Sequence, residues 1–273
     1  MLTWLLYLVG DGLARVLPQG AAERASTWIG RLLFALRVPA RRHLERNLER
    51  LLGPGREPEV EATARAAFEN FALGLTDFLR LGGHRRRVLD QVVEVHGAEH
   101  LAAARASGCG VILISAHLGS WELGAAWLAR AGTPVHVLAR PHPSARVERF
   151  YARRRGACGV GMLADRPLWS AASAVLRRSE WIALMVDRRA STRAGPAQAE
   201  AAAWAAALSR RTGALVLPGV IVRLPGRRFA AHFDRPRQVT GATVDGVLDL
   251  LREQVRRHPA QWAAFEPLPE GLA

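Results

Sequence analysis

The stretch Ser115-Ala116-His117-Leu118-Gly119-Ser120-Trp121-Glu122 places an imidazole and a carboxylate five residues apart. On one continuous helix that spacing turns two side chains about 140° away from each other. They can meet only if the chain bends between them. The run Val111-Ile112-Leu113-Ile114 in front of His117 has the character of a strand buried on both faces. The segment therefore reads as strand, tight turn and helix start, with His117 at the carboxyl end of the strand, where ligands collect in open α/β sheets. Gly119 permits the sharp turn, and Ser120 can cap the following helix. A Glu122 carboxylate on the imidazole Nδ1 would fix the tautomer and leave the far nitrogen free to take a proton. Unpaired N–H groups at the helix start could bind a developing oxyanion, and Gly119 and Ser120 are expected among the substrate-binding residues. Such a base can activate a hydroxyl for direct attack on a thioester, help on the order of 10²–10⁴-fold. The spacing alone also fits a structural histidine beside a helix cap.

Several other chemistries lack their residues. All 38 basic residues other than histidine are arginine, so a P-loop has no lysine to reach phosphates. No Gly-x-Ser-x-Gly nucleophile elbow occurs. His-Glu-x-x-His is also absent, and no metal site is expected. Gly159-Val160-Gly161-Met162-Leu163-Ala164 matches a dinucleotide fingerprint in letters, but it falls on an expected strand rather than between strand and helix. Cys109 and Cys158 form no CxxC pair, which fits a reducing compartment.

The elements that must position the pair follow from periodicity. Short apolar runs at 111–114, 135–139, 159–163, 181–186, 214–222 and 229–233 alternate with helical stretches at 121–131, 145–155, 168–178, 197–211 and 244–257. That alternation implies an α/β fold with a mostly parallel central sheet flanked by helices. Residues 1–85 read as helices, including a long one over 57–81, and residues 86–273 as the α/β core, with the two parts integrated on one core.

The run from Leu2 to Val9 is far short of the ~20 residues needed to span a bilayer. A second apolar stretch, Trp28 to Leu36, is interrupted by Gly30 and Arg31. Both carry tryptophan, which favours the membrane–water interface. They are expected to lie in that interface, with packing inside a helical bundle as the other reading. The formal net charge of +14 favours an anionic partner, whether lipid headgroups, an acidic carrier protein or nucleic acid. Nucleic acid is disfavoured, because the aromatic residues sit in apolar runs rather than between basic ones.

His-x-x-x-x-Glu after a buried strand resembles the H-x4-D/E motif of the glycerolipid acyltransferase superfamily. The full string His117-Leu-Gly-Ser-Trp-Glu122 more specifically resembles the bacterial lipid A late acyltransferases, a family that includes phosphatidylinositol mannoside acyltransferases. The likeness extends over nearly the whole chain. It includes Arg46-Asn47-Leu48, Ala139-Arg140-Pro141, Val186-Asp187-Arg188, Arg211-Thr212-Gly213 and His258-Pro259-Ala260-Gln261-Trp262. The resemblance implies His117 as base, Glu122 as its partner, and Arg140, Arg155, Asp187 and Arg188 around the substrates. It also implies an acyl group moved from an acyl carrier protein or coenzyme A thioester to a hydroxyl of a membrane glycolipid, with no permanently bound cofactor. The expected location is the cytoplasmic face of the bacterial plasma membrane, in peripheral or monotopic association. Hydrolysis of a thioester or ester by the same base is the competing enzymatic reading.

Overall fold

The computed structural model describes residues 2–81, 89–90, 92–139, 142–163, 168–187, 198–239 and 245–268. The N-terminal apolar run becomes α1 (Leu2–Val16), and α2 (Gln19–Ala35) follows Pro18. A proline suited to a first helical turn opens α3 (Pro39–Leu52), which stops at Gly53 with φ +93°. The long helix α4 spans Glu57–Leu81. Gly30 does not break α2. It is buried where α2 crosses α4, and a Cβ there would strike the backbone of Phe68 and Glu69. The absent side chain lets the two helices approach closely.

Among the described residues seven strands follow: β1 (Val92–His96), β2 (Val111–Ser115), β3 (Val135–Leu138), β4 (Gly161–Met162), β5 (Trp181–Met185), β6 (Leu215–Leu224) and β7 (Arg228–Phe233). Between and after them lie α5 (Ala98–Ala106), α6 (Trp121–Arg130), α7 (Ala145–Ala157), α8 (Leu168–Arg177), α9 (Gln198–Thr212) and α10 (Asp245–Arg257). They form a single sheet in the order β1-β7-β6-β2-β5-β3-β4, in which only the β6–β7 pair is antiparallel. The expected α/β architecture with a mostly parallel, helix-flanked sheet is what the chain adopts. Every residue of β2 is buried, as its unbroken apolar run requires. The main hydrophobic core joins Phe34 of α2, Leu44 and Leu48 of α3 and Phe68 of α4 to Ile112, Ile114 and Ile182 of the central strands. The N-terminal helices thus pack on the sheet that carries the candidate pair.

Two elements have no counterpart in the sequence reading: β1 and α5. β1 is short and carries Glu94 and His96, and α5 is an alanine-rich helix that buries only Leu101 and Ala104. In β1 the alternation of Val93 and Val95 with Glu94 and His96 covers only four residues, and α5 lacks the contrast between apolar and polar positions on which periodicity depends.

Among the described residues no helix is long and apolar enough to cross a membrane. The outward faces of α1 and α2 are nevertheless apolar, with Leu6 64%, Val16 76%, Trp28 64% and Leu36 63% exposed.

At the β1–β7 edge, His96 and His232 stand opposite each other in register, and their rings stack with centroids 4.5 Å apart. Burial, followed by the neighbouring His96, His258 and Arg257, pushes the His232 imidazole down to about 4 from 6.5, with Glu94 opposing. The unfolded chain therefore binds more protons than the folded one between those values. The stability tied to neutral His232 is complete above about pH 6.5 and is lost as pH falls toward 4. His232→Gln is expected to flatten the fall in urea midpoint over that window. An unchanged pH profile in the variant would refute the assignment.

Candidate active site

The parallel register of β2 and β5 pairs Ser115 with Met185. Continuing it two residues past both strands sets His117 beside Asp187. The imidazole Nδ1 lies 2.7 Å from Asp187 Oδ1, and the His117 backbone N–H donates to Asp187 Oδ2 at 2.8 Å. The Trp262 indole N–H donates to the same Oδ2 at 3.0 Å. The Asp187 side chain is only 2% exposed, whereas that of His117 is 16% exposed. The carboxylate is thus buried behind the ring. With two N–H groups on Oδ2, the other oxygen is left to accept from Nδ1–H, and Nε2 is the nitrogen able to take a proton.

Glu122 does not make the contact expected of it. Its carboxylate is held in a two-pronged ion pair by Arg155 of α7: Nη2 to Oε1 at 2.6 Å and Nε to Oε2 at 3.0 Å. The helix itself explains the difference. Trp121, the first residue of α6, turns its ring edge-on to His117 with centroids 5.1 Å apart. The next residue points about 100° further round, toward α7. The Arg155 guanidinium is largely buried, which alone would lower it. The hydrogen bonds and charge of Glu122 more than offset this, so it stands above its ordinary value.

The turn is also more completely bonded than the sequence suggests. Gly119 has φ +63°, and a Cβ there would collide with the Ile221 carbonyl. The Gly119 N–H donates to the Gln261 carbonyl at 3.0 Å, and the Ser120 N–H to the Ile221 carbonyl at 3.3 Å. These two N–H groups are therefore engaged within the protein. Ser120 makes no side-chain cap on α6. Its hydroxyl instead donates to Asp77 Oδ2 at 3.3 Å. Arg140 and Arg188 lie outside the described residues. Of the expected site residues, the structure joins His117 to Asp187 and Glu122 to Arg155.

The model of the bacterial lipid A biosynthesis acyltransferase family matches residues 1–268. The chain belongs to that family. It is similar to the phosphatidylinositol mannoside acyltransferase of Mycobacterium tuberculosis (strain ATCC 25618 / H37Rv), with 29% identity over 96% of this chain and 86% of the relative. The phosphatidylinositol mannoside acyltransferase of Mycolicibacterium smegmatis is 24% identical over 97% of this chain and 90% of that protein.

Sequence reasoning missed what supports the His117 turn of this acyltransferase. Asp77 of α4 is buried and forms an ion pair with Arg223 of β6 beneath Ser120. Burial pushes the Asp77 carboxyl up, and Arg223 and the Ser120 hydroxyl pull it back. The Gln261 side chain donates to the Arg223 carbonyl and accepts its N–H, both at 2.8 Å. The Ala263 N–H donates to the His117 carbonyl at 2.8 Å. Buried Asn47 of α3 donates to the carbonyls of Ala264 and Glu266 at 2.8 and 2.9 Å. Asn47 and the segment around Gln261-Trp262 were visible only through resemblance. Their physical task is to hold the C-terminal segment against the His117 turn. For Asp77, the one signal is an acidic residue in an otherwise apolar helical face near Phe78 and Leu79.

Proposed function

We propose that the protein transfers a fatty acyl group from an acyl carrier protein or coenzyme A thioester to a hydroxyl of a membrane glycolipid, with His117 as general base and Asp187 orienting it. The observation that carries this reading is the 2.7 Å contact between His117 Nδ1 and buried Asp187, in a chain of an acyltransferase family. The acceptor hydroxyl gives its proton to Nε2 as its oxygen attacks the thioester carbonyl. The C–S bond then breaks, and the imidazolium returns the proton to the leaving sulfur. Asp187 stabilises the imidazolium between the two steps.

Phe71, which is 36% exposed, lies between Trp121 and Phe265, with centroids 6.4 and 5.0 Å away. We assign this aromatic wall beside His117 to the acyl chain. The Arg155–Glu122 fork is assigned to the polar part of the acceptor. The curated relatives are named for phosphatidylinositol mannosides, so the favoured acceptor is a mannosylated phosphoinositide, ahead of a lipid A precursor or a lysophospholipid. The apolar outer faces of α1 and α2 support peripheral attachment to a membrane, taken to be the cytoplasmic face of the plasma membrane.

The test supplies labelled acyl-CoA and acyl carrier protein thioesters with each acceptor in turn. Label is expected in the mannosylated phosphoinositide. Free fatty acid as the sole product, at a rate no acceptor raises, would make the protein a hydrolase and overturn the proposal.

A further inference from the structure

A second basic site lies on the other side of α7 from the Glu122 contact. A groove of about 700 Å³ runs between α1 and α7, with Arg146, Arg149 and Arg153 on one wall and Trp4 and Leu8 on the other. The three arginines recur at i, i+3 and i+7, which puts them on one face of α7. All three are exposed, and none has an acidic partner among the described residues. The acid in the groove, Asp11, is already shared by Arg15 and Arg154. The groove therefore holds an excess of positive charge that the described residues do not neutralise.

Its apolar wall is continuous with an exposed apolar surface. Leu5, Leu6, Val9, Leu13 and Val16 of α1 are 56%, 64%, 54%, 47% and 76% exposed. Trp4 packs edge-on against Phe150 of α7, with centroids 6.2 Å apart, and so ties the apolar helix to the basic one.

We propose that the α1–α7 groove binds the phosphate-bearing headgroup of an anionic phospholipid in a bilayer, with the acyl chains of that lipid against the outer face of α1. The arginines match the phosphate, and the leucines and Trp4 match the interfacial and acyl regions. An acidic protein would answer the arginines but leave the apolar face of α1 beside it uncovered. The proposal rests on the reading that this enzyme works at a membrane surface. It adds a site that selects lipid charge and sits apart from the His117 turn.

The test is sedimentation of the full chain with phosphatidylcholine vesicles, with and without phosphatidylglycerol. Wild type is expected to prefer the anionic vesicles. Arg146→Gln/Arg149→Gln/Arg153→Gln should lower that partition by about a hundredfold, from the usual effect of three cationic side chains at an anionic surface. Arg42→Gln/Arg46→Gln/Arg50→Gln, which removes equal charge from exposed positions of α3, should lower it only about threefold or less. Acyl transfer to detergent-dispersed acceptor should be the same in the α7 triple variant and wild type. Equal losses in both triples would reduce the groove to diffuse surface charge and overturn the site. So would wild-type partition by the α7 triple, including the case in which that variant instead loses binding to an acidic carrier protein. Failure of wild type to bind any vesicle would overturn the membrane reading itself. Failure of the α7 triple alone to differ from wild type would remove only the headgroup site.

Discussion

Asp187→Asn is expected to lower the acyl-transfer kcat by roughly 10³–10⁴-fold, close to the loss in His117→Ala, with little change in KM. The reason lies in which donors the carboxylate faces. Asp187 Oδ2 accepts from the His117 backbone N–H and from the Trp262 indole. In Asp187→Asn the amide oxygen must take that position, because an NH₂ group there would meet two donors. The amide NH₂ then faces Nδ1, which must become the acceptor. The ring is driven to the tautomer with its proton on Nε2, the nitrogen that has to receive the acceptor's proton. Trp262→Phe removes one of the two orienting donors and is expected to cost about tenfold, because the His117 backbone N–H remains. Glu122→Gln leaves the tautomer untouched and should act mainly on KM and on stability, through loss of the Arg155 fork. Steady-state kinetics with ¹⁵N NMR of the imidazole separates the cases. If Glu122→Gln abolished turnover while Asp187→Asn kept it within a few-fold, the base would be oriented from α6 after all.

That contrast marks how far the sequence could be read. His117 was legible because local chemistry places it: an unbroken apolar strand, then a glycine at a turn, then a helix. Its partner was not. Glu122 is near in sequence, but the helix start turns Trp121 rather than Glu122 toward the ring. Asp187 is 70 residues away, and its nearness depends on β5 crossing over to lie against β2, with β3 and β4 placed outside it. No periodicity encodes that order. The same holds for Trp262, whose contact with Asp187 requires the C-terminal segment to return to the His117 turn. The long amphipathic elements were placed to within a residue or two, whereas β1 was lost because its alternation is so short and α5 because it is nearly uniform in alanine. Gly30, which interrupts the apolar run in the sequence, is a packing contact in the structure, because glycine's small size matters there more than its backbone freedom.

Asp77→Ala should destabilise the protein by about 3–5 kcal/mol, because it leaves the Arg223 guanidinium buried without its counter-charge. The side chains of Arg223 and Asp77 are 13% and 5% exposed, so water offers little compensation. The substitution also removes the acceptor of the Ser120 hydroxyl. The damage should reach the chemistry as well as the fold. Arg223 is bonded through its backbone to Gln261, the Gln261 carbonyl holds the Gly119 N–H, and the adjoining segment holds the His117 carbonyl through Ala263. A shift of Arg223 is therefore passed to both sides of the turn that carries His117. Replacing the pair together, as Asp77→Leu with Arg223→Met, removes both buried charges and should recover most of the stability. Urea denaturation of the single and double variants measures the first effect, and kcat at a temperature where all remain folded measures the second. A loss below about 1 kcal/mol in Asp77→Ala would mean that Arg223 finds another partner or water. Full stability with low kcat in the double variant would show that the charged pair sets the geometry of the turn beyond holding the helix to the sheet.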